Sequence, residues 1–98
     1  MPYLIETYDK PDSFGLRTAT RDEHLAFLAA NADLLLACGA KIGDDGTGAS
    51  GGIYLLDVES RTEAETFIAQ DPFSKASLFE RIYITRWRKA YVAGECYL

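Results

Sequence analysis

One histidine, two cysteines and three prolines are all that this 98-residue chain contains, and its ten lysines and arginines are outnumbered by fifteen aspartates and glutamates. Each shortage removes a class of chemistry. Cys38 and Cys96 lie 58 positions apart, with neither the close spacing of a zinc knuckle nor a redox CxxC, so they read as reduced thiols. A single histidine leaves no structural zinc site and no multi-histidine metal site. Only an oxygen-rich site for a hard cation is left, and "GDDGTG" (43–48) lacks the ligand spacing of a calcium loop; no metal and no cofactor are expected. The formal charge of −5 has the wrong sign for gripping phosphate backbones, which argues against a nucleic-acid partner. No run approaches the ~18 apolar residues of a membrane span, and "MPYLIETYDK" has no basic segment leading into an apolar one, so a cytoplasmic protein without a membrane partner is expected.

What is present is 48% hydrophobic residues in a length suited to one globular domain, with a core over about 2–92 and a short tail at 93–98. "PYLIETYD" (2–9) is rich in β-formers and reads as a first strand; "KPDSFGL" after it has the residues of a loop. Thr20 followed by Glu23 forms a capping box, and Leu25, Leu28, Ala32, Leu35 and Leu36 repeat at helical spacing, predicting a helix over about 21–37. "CGAKIGD" reads as a short, weak strand, and "DDGTGASGG" as a flexible glycine-rich loop. "IYLLDVE" (53–59) is a central strand, and Ser60 with Glu63 caps a helix over 61–70 that Pro72 ends. One helical turn in "SKASLF" and a last strand over 81–92 complete the chain.

The order βαββαβ is the ferredoxin-like arrangement, an α+β fold with an antiparallel sheet and both helices on one face. Strand three is apolar on both alternating sets, Ile53 with Leu55 and Tyr54 with Leu56. Helices cover only one side, so a homodimer packed through its sheet faces is expected.

This topology carries His24, in the first turn of the predicted helix, and Asp71, at the end of the next, to one end of the domain. Asp9, Tyr8, Arg17, Gly51 and Gly52 share that end. An imidazole beside a carboxylate forms a general base or acid; the helix N-terminus disfavours the imidazolium while Asp71 favours it. The same pattern also fits a bland reading, in which His24 bonds a nearby backbone group, Asp71 opens a turn before proline, and Arg17 and Arg21 are surface charges. Arg81, Arg86, Arg88 and Lys89 read as a charged sheet edge that discourages stray pairing.

"DKPDSFGLRTATRDEHLAFL" (9–28), a GG step opening a strand, and "DPF" (71–73) together resemble the YciI-like (YCII-related) family of small bacterial proteins. The likeness lies in the order and spacing of Asp9, Arg17, Arg21, His24, Leu25, Asp71, Pro72 and Phe73, over almost the whole chain. It implies a dimeric α+β barrel of ferredoxin-like subunits, similar in architecture to muconolactone isomerase and cofactor-free monooxygenases. It also implies a His24–Asp71 dyad in a cleft lined by Asp9 and Arg17. Where some relatives carry serine as second residue of the GG step, this chain has Gly52, and Ser50 replaces that hydroxyl only if the loop folds back. The tail ending Cys96, Tyr97 and Leu98 is outside the pattern and is expected to close the cleft or stiffen the dimer.

Two functions follow as alternatives. One is a cofactor-free isomerase or lyase acting on a small anionic or aromatic metabolite, with His24 as base, Asp71 orienting it, Arg17 holding an oxyanion, and Tyr8, Phe14 and Phe73 walling the pocket. The other is a non-catalytic small-molecule binding module using the same cleft; a purely structural role ranks below both.

Overall fold

A computed structural model describes residues 1–98 and gives a mixed α+β architecture with a four-stranded antiparallel sheet. The elements are β1 (Tyr3–Asp9), α1 (Phe14–Ala30), a 3₁₀ turn (Ala32–Leu34), β2 (Leu35–Lys41), β3 (Gly51–Leu56), α2 (Arg61–Gln70), α3 (Pro72–Lys75), β4 (Phe79–Arg86), and a terminal hairpin of β5 (Tyr91–Val92) and β6 (Glu95–Cys96). The sheet order is β2-β3-β1-β4, the ferredoxin-like order, with all neighbours antiparallel.

Strand alternation sorts the side chains. Ile5 stands opposite Tyr54, Tyr54 opposite Cys38, and Thr7 opposite Gly52 on the helix-covered side. There Tyr3, Ile5, Tyr54, Leu56, Val58, Ala64, Phe67 and Ile68 form the core, with Phe27, Leu28, Leu34 and Leu35 packed around it. The other side carries Leu4, Glu6, Tyr8, Ile53, Leu55, Lys41, Arg81 and Tyr83, and Ile53 and Tyr83 are exposed. No helix is long and apolar enough to cross a membrane.

The second helix follows local rules closely. Ser60 Oγ accepts the Glu63 N–H at 3.2 Å, and the helix runs over the predicted residues. The first helix departs from them. It begins at Phe14, a full two turns upstream of the expected start, with Ser13 as N-cap; the Thr20/Glu23 box lies inside it and caps nothing. It stops at Ala30 because Asn31 turns its side-chain N–H back to the Phe27 carbonyl, at 2.9 Å. The leucines at 34–36 that extend the helical spacing belong to the 3₁₀ turn and β2, where pairing with β3 and packing on the core outcompete helix propensity.

The last strand ends at Arg86, well short of 92. Beyond it the chain folds back on itself through Ala93 and Gly94, both at positive φ as a two-residue hairpin turn requires. Lys89 reaches Asp57 at 3.9 Å, and the Trp87 N–H bonds the Pro2 carbonyl. The tail is thus moored where β3 ends, at the end of the sheet away from Asp9 and Asp71, and does not cover the predicted cleft. The glycine-rich loop is tied internally: Asp45 Oδ1 accepts the Thr47 N–H and Oγ1–H at 3.0 and 2.9 Å, and these bonds hold the Asp45 carboxyl below its ordinary range.

Candidate functional site

Because α1 starts early, His24 sits in mid-helix and not in a first turn. The helix macrodipole acts mainly on terminal turns, so the opposing influence expected from it falls away. Asp71 occupies the corner between α2 and α3, where Pro72 fixes the backbone and the Asp71 side chain caps the short helix by accepting the Phe73 N–H at 2.9 Å.

That corner points the carboxylate at α1. His24 Nδ1 lies 2.9 Å from Asp71 Oδ1 and 3.0 Å from Oδ2, and Asp71 is completely buried. Tyr54 Oη donates to Oδ2 at 2.8 Å. With the Tyr54 hydroxyl and the Phe73 amide both donating, both oxygens act as acceptors, which assigns the donated proton of the remaining contact to His24 Nδ1. Nε2 then carries the free lone pair. It has no protein partner, yet it is not among the sealed, unpaired polar atoms, which are Asp9 Oδ1, Lys41 Nζ, Ser74 Oγ and Trp87 Nε1. Nε2 is therefore open at its outer side.

Seven residues before His24 on the same stripe of α1, Arg17 is also buried. Its Nη1 donates to Asp9 Oδ2 at 2.8 Å and its Nη2 to the Gly51 carbonyl at 3.3 Å, tying the helix to β1 and β3. Phe73 sits between the two groups: the imidazole stacks on its ring at 4.0 Å and 15°, and the guanidinium carbon lies 4.8 Å from the same ring. Since the imidazole covers one ring face, the guanidinium takes the other, consistent with about 10.5 Å of helix rise between positions 17 and 24.

Most of the residues picked from sequence meet here. His24, Asp71, Asp9, Arg17 and Phe73 form one connected cluster; Gly52 is bonded outside it, its N–H donating to Thr7 Oγ1 at 2.9 Å. Two assignments change. Phe73 is 1% exposed with both ring faces occupied, so it is a spacer inside the cluster and not a wall that a ligand stacks on. Tyr8 lies on the opposite face of the sheet, with Lys41 Nζ 3.2 Å and Arg81 Cζ 4.8 Å from its ring centroid and Tyr83 edge-on at 5.8 Å. Asp9 instead pairs with Arg17 of α1 on the helix-covered face, so the contacts of the two residues place them on different faces although the register with β4 shifts between them. Phe14 is exposed at the start of α1. Ser50 is exposed and held through its backbone to Asp9 and Lys41, so its hydroxyl does not replace the serine that Gly52 lacks.

Tyr54 is the residue that sequence reading missed. Its signal was present: Tyr54 shares strand parity with Gly52, so the face assigned to one belonged to both. Burial and the neighbouring Asp71 charge push the Tyr54 phenol far above its ordinary range, so it stays a donor at any working pH. Burial, with Asp71 adding, also pushes the Cys38 thiol up to about 11.

A groove of about 420 Å³ runs between α1 and α3, lined by Thr20, Glu23, Pro72, Lys75 and Ala76; His24 itself does not line it. A second, of about 300 Å³, lies over Asp9, Ser13, Phe14 and Ser50. A further groove at Met1, Arg86, Trp87 and Arg88 carries none of these groups.

Comparison with known proteins adds the following. The profile of the family described as YCII-related domain matches residues 1–88. An uncharacterized protein of Haemophilus influenzae strain Rd is 28% identical over 98 residues, covering 93% of this chain and all of its own length. Among solved structures, 5-chloro-2-hydroxyhydroquinone dehydrochlorinase (TftG) from Burkholderia phenoliruptrix AC1100, in complex with 2,5-dihydroxybenzoquinone, superposes with a TM-score of 0.83. It is 32% identical and the match covers 90% of this chain and 94% of that one. An antibiotic biosynthesis monooxygenase superposes at 0.51 with 11% identity, over 91% of this chain and 100% of that one, and shares the fold alone.

Proposed function

This chain belongs to the YCII-related domain family, and we propose that it is a lyase-type enzyme eliminating a small acid from a hydroxylated aromatic compound. The observation that carries this reading is the His24 imidazole, held through Nδ1 by both oxygens of a sealed carboxylate while Nε2 faces outward. A fixed tautomer with one free lone pair is a general base. One hydroxyl proton moves to the ring carbon that bears the leaving group, making that carbon tetrahedral as a carbonyl forms; His24 Nε2 then takes a proton from a second hydroxyl, the released electron pair moves through the ring to form the second carbonyl, and the leaving group departs from the tetrahedral carbon with its own electron pair. The net loss is one molecule of acid, so the step balances without a cofactor or redox partner. The likeness to a dehydrochlorinase along nearly the whole of both chains supports the substrate class.

Asp71 orients the base and stabilises the imidazolium that forms. Arg17 uses two of its five N–H donors on Asp9 and Gly51, and the others serve a substrate oxyanion. The two groups stand on opposite faces of Phe73, a separation that one ring with oxygens at opposite edges bridges. Asp9 fixes Arg17, and Gly52, without a side chain, leaves room beside Thr7. The working form is a cytoplasmic homodimer joined through the uncovered sheet faces, with a small molecule, and neither nucleic acid nor membrane, as partner.

The test is chloride release from 5-chloro-2-hydroxyhydroquinone by the full chain, alongside calorimetric binding of 2,5-dihydroxybenzoquinone. Release by the wild type that falls about 100-fold or more in His24→Ala is expected. Binding with no release above background would assign the cleft to a non-catalytic module; neither binding nor release would refute the substrate class.

A further inference from the structure

We propose that Tyr54 is a positioning residue, which sets the tautomer of His24 by pinning Asp71. Its effect on turnover rests on the reading of His24 as the base; its effect on the tautomer does not.

Asp71 is fully buried, and its recorded partners include no lysine or arginine. Three donors hold its charge, and they divide unevenly. The Phe73 amide fixes Oδ1, the imidazole straddles both oxygens, and Tyr54 is the one further donor to Oδ2. Two fixed donors on different oxygens determine the plane of a carboxylate. One does not, since the group then turns about its Cβ–Cγ bond. Without Tyr54 Oη the carboxylate is anchored at Oδ1 alone and its orientation follows the imidazole instead of commanding it.

Tyr54 is well built for this. It stands in the central strand β3, its ring 2% exposed and packed edge-on against Phe67 at 6.0 Å and His24 at 6.3 Å. The ring therefore has no freedom to carry the hydroxyl away. Burial keeps the phenol protonated, so the donor does not switch off as pH rises. The hydroxyl lies too far inside to be the proton donor or acceptor of a reaction at Nε2. Its action passes through Asp71 to Nδ1–H, leaving the lone pair on the outward nitrogen.

The only histidine of the chain makes the test free of overlap. Long-range ¹⁵N–¹H correlation of the neutral imidazole distinguishes a protonated from an unprotonated ring nitrogen. In wild type the spectrum is expected to show protonated Nδ1 and unprotonated Nε2. In Tyr54→Phe, which keeps the buried ring, the two nitrogens should move toward intermediate shifts as the tautomers mix. Chloride release should slow about 10- to 100-fold, the size of one lost hydrogen bond to a charged group. An unchanged Nδ1–H signature with wild-type turnover overturns the proposal and leaves Tyr54 a packing residue. If wild type releases no chloride, the enzymatic reading fails while the tautomer result still decides the role of Tyr54. Should Tyr54→Phe not fold, the wild-type Tyr54 hydroxyl proton decides: protected from solvent exchange it supports the bond to Asp71, and free exchange overturns it.

Discussion

Replacing either glycine of the GG step by alanine tests how the backbone supports the site, and the two positions should behave oppositely. At position 51 a methyl group would lie far inside van der Waals contact with the Thr7 carbonyl oxygen and 2.8 Å from Lys41 Cε. The lysine can yield; the carbonyl cannot, because Thr7 is paired in the middle of β1 between β3 and β4. Moving the two strands apart to an ordinary C···O separation of about 3.3 Å breaks ladder bonds. It also displaces the Gly51 carbonyl that Arg17 holds at 3.3 Å. Overpacking of this kind costs about 3 kcal/mol, which for a domain of this size lowers the melting temperature by about 12–24 °C.

At position 52 the same methyl meets the Gly39 carbonyl oxygen at 3.4 Å, and Thr7 Oγ1 and Tyr54 Cε1 at 3.5 Å, which is ordinary contact. Neither glycine has positive φ, so backbone strain does not enter. Gly52→Ala should therefore stay within about 1 kcal/mol of wild type, helped by the loss of unfolded-state entropy. Thermal unfolding followed by circular dichroism reads both. The reasoning is refuted if Gly51→Ala melts within about 3 °C of wild type, or if Gly52→Ala loses as much stability as its neighbour.

Two further outcomes follow. Cys38 and Cys96 are both exposed, yet at pH 7.5 a thiol reagent should titrate Cys96 faster than Cys38, whose thiol is the raised one. A thiol pushed from 9.0 up to about 11 has roughly 100-fold less thiolate, so the slow rate should climb tenfold per pH unit toward 11; equal rates at neutral pH would show that the Cys38 thiol is not raised. On the uncovered face of the sheet, Ile53→Arg should convert a dimer into a 10.8 kDa monomer in sedimentation velocity. A wild type that is already monomeric would rule out the proposed assembly.

Local chemistry made much of this legible in the chain itself. The Ser60–Glu63 cap, the β-formers of β1, the apolar run of β3 and the βαββαβ order each depend on residues a few positions apart, and the topology built from them brought together residues 47 positions apart, His24 and Asp71. Strand parity also held the information that joins Tyr54 to Gly52.

Tertiary contacts decided the rest. The Thr20–Glu23 box is a sound local signal, but it lies within a longer helix whose upstream part holds Arg17 against Asp9, Gly51 and Phe73. Leu35 and Leu36 keep helical spacing in the sequence, yet they open the edge strand β2 on β3, where Leu35 packs against the core. Strand parity puts Tyr54 on the face of the site, but nothing near it marks its hydroxyl as a partner of Asp71, which lies 17 residues away across a helix. Propensity and spacing are short-ranged and sum along the chain. The protonation geometry of His24 depends on a buried carboxylate whose donors come from β3, α1 and the α2–α3 corner, and only folding brings those three together.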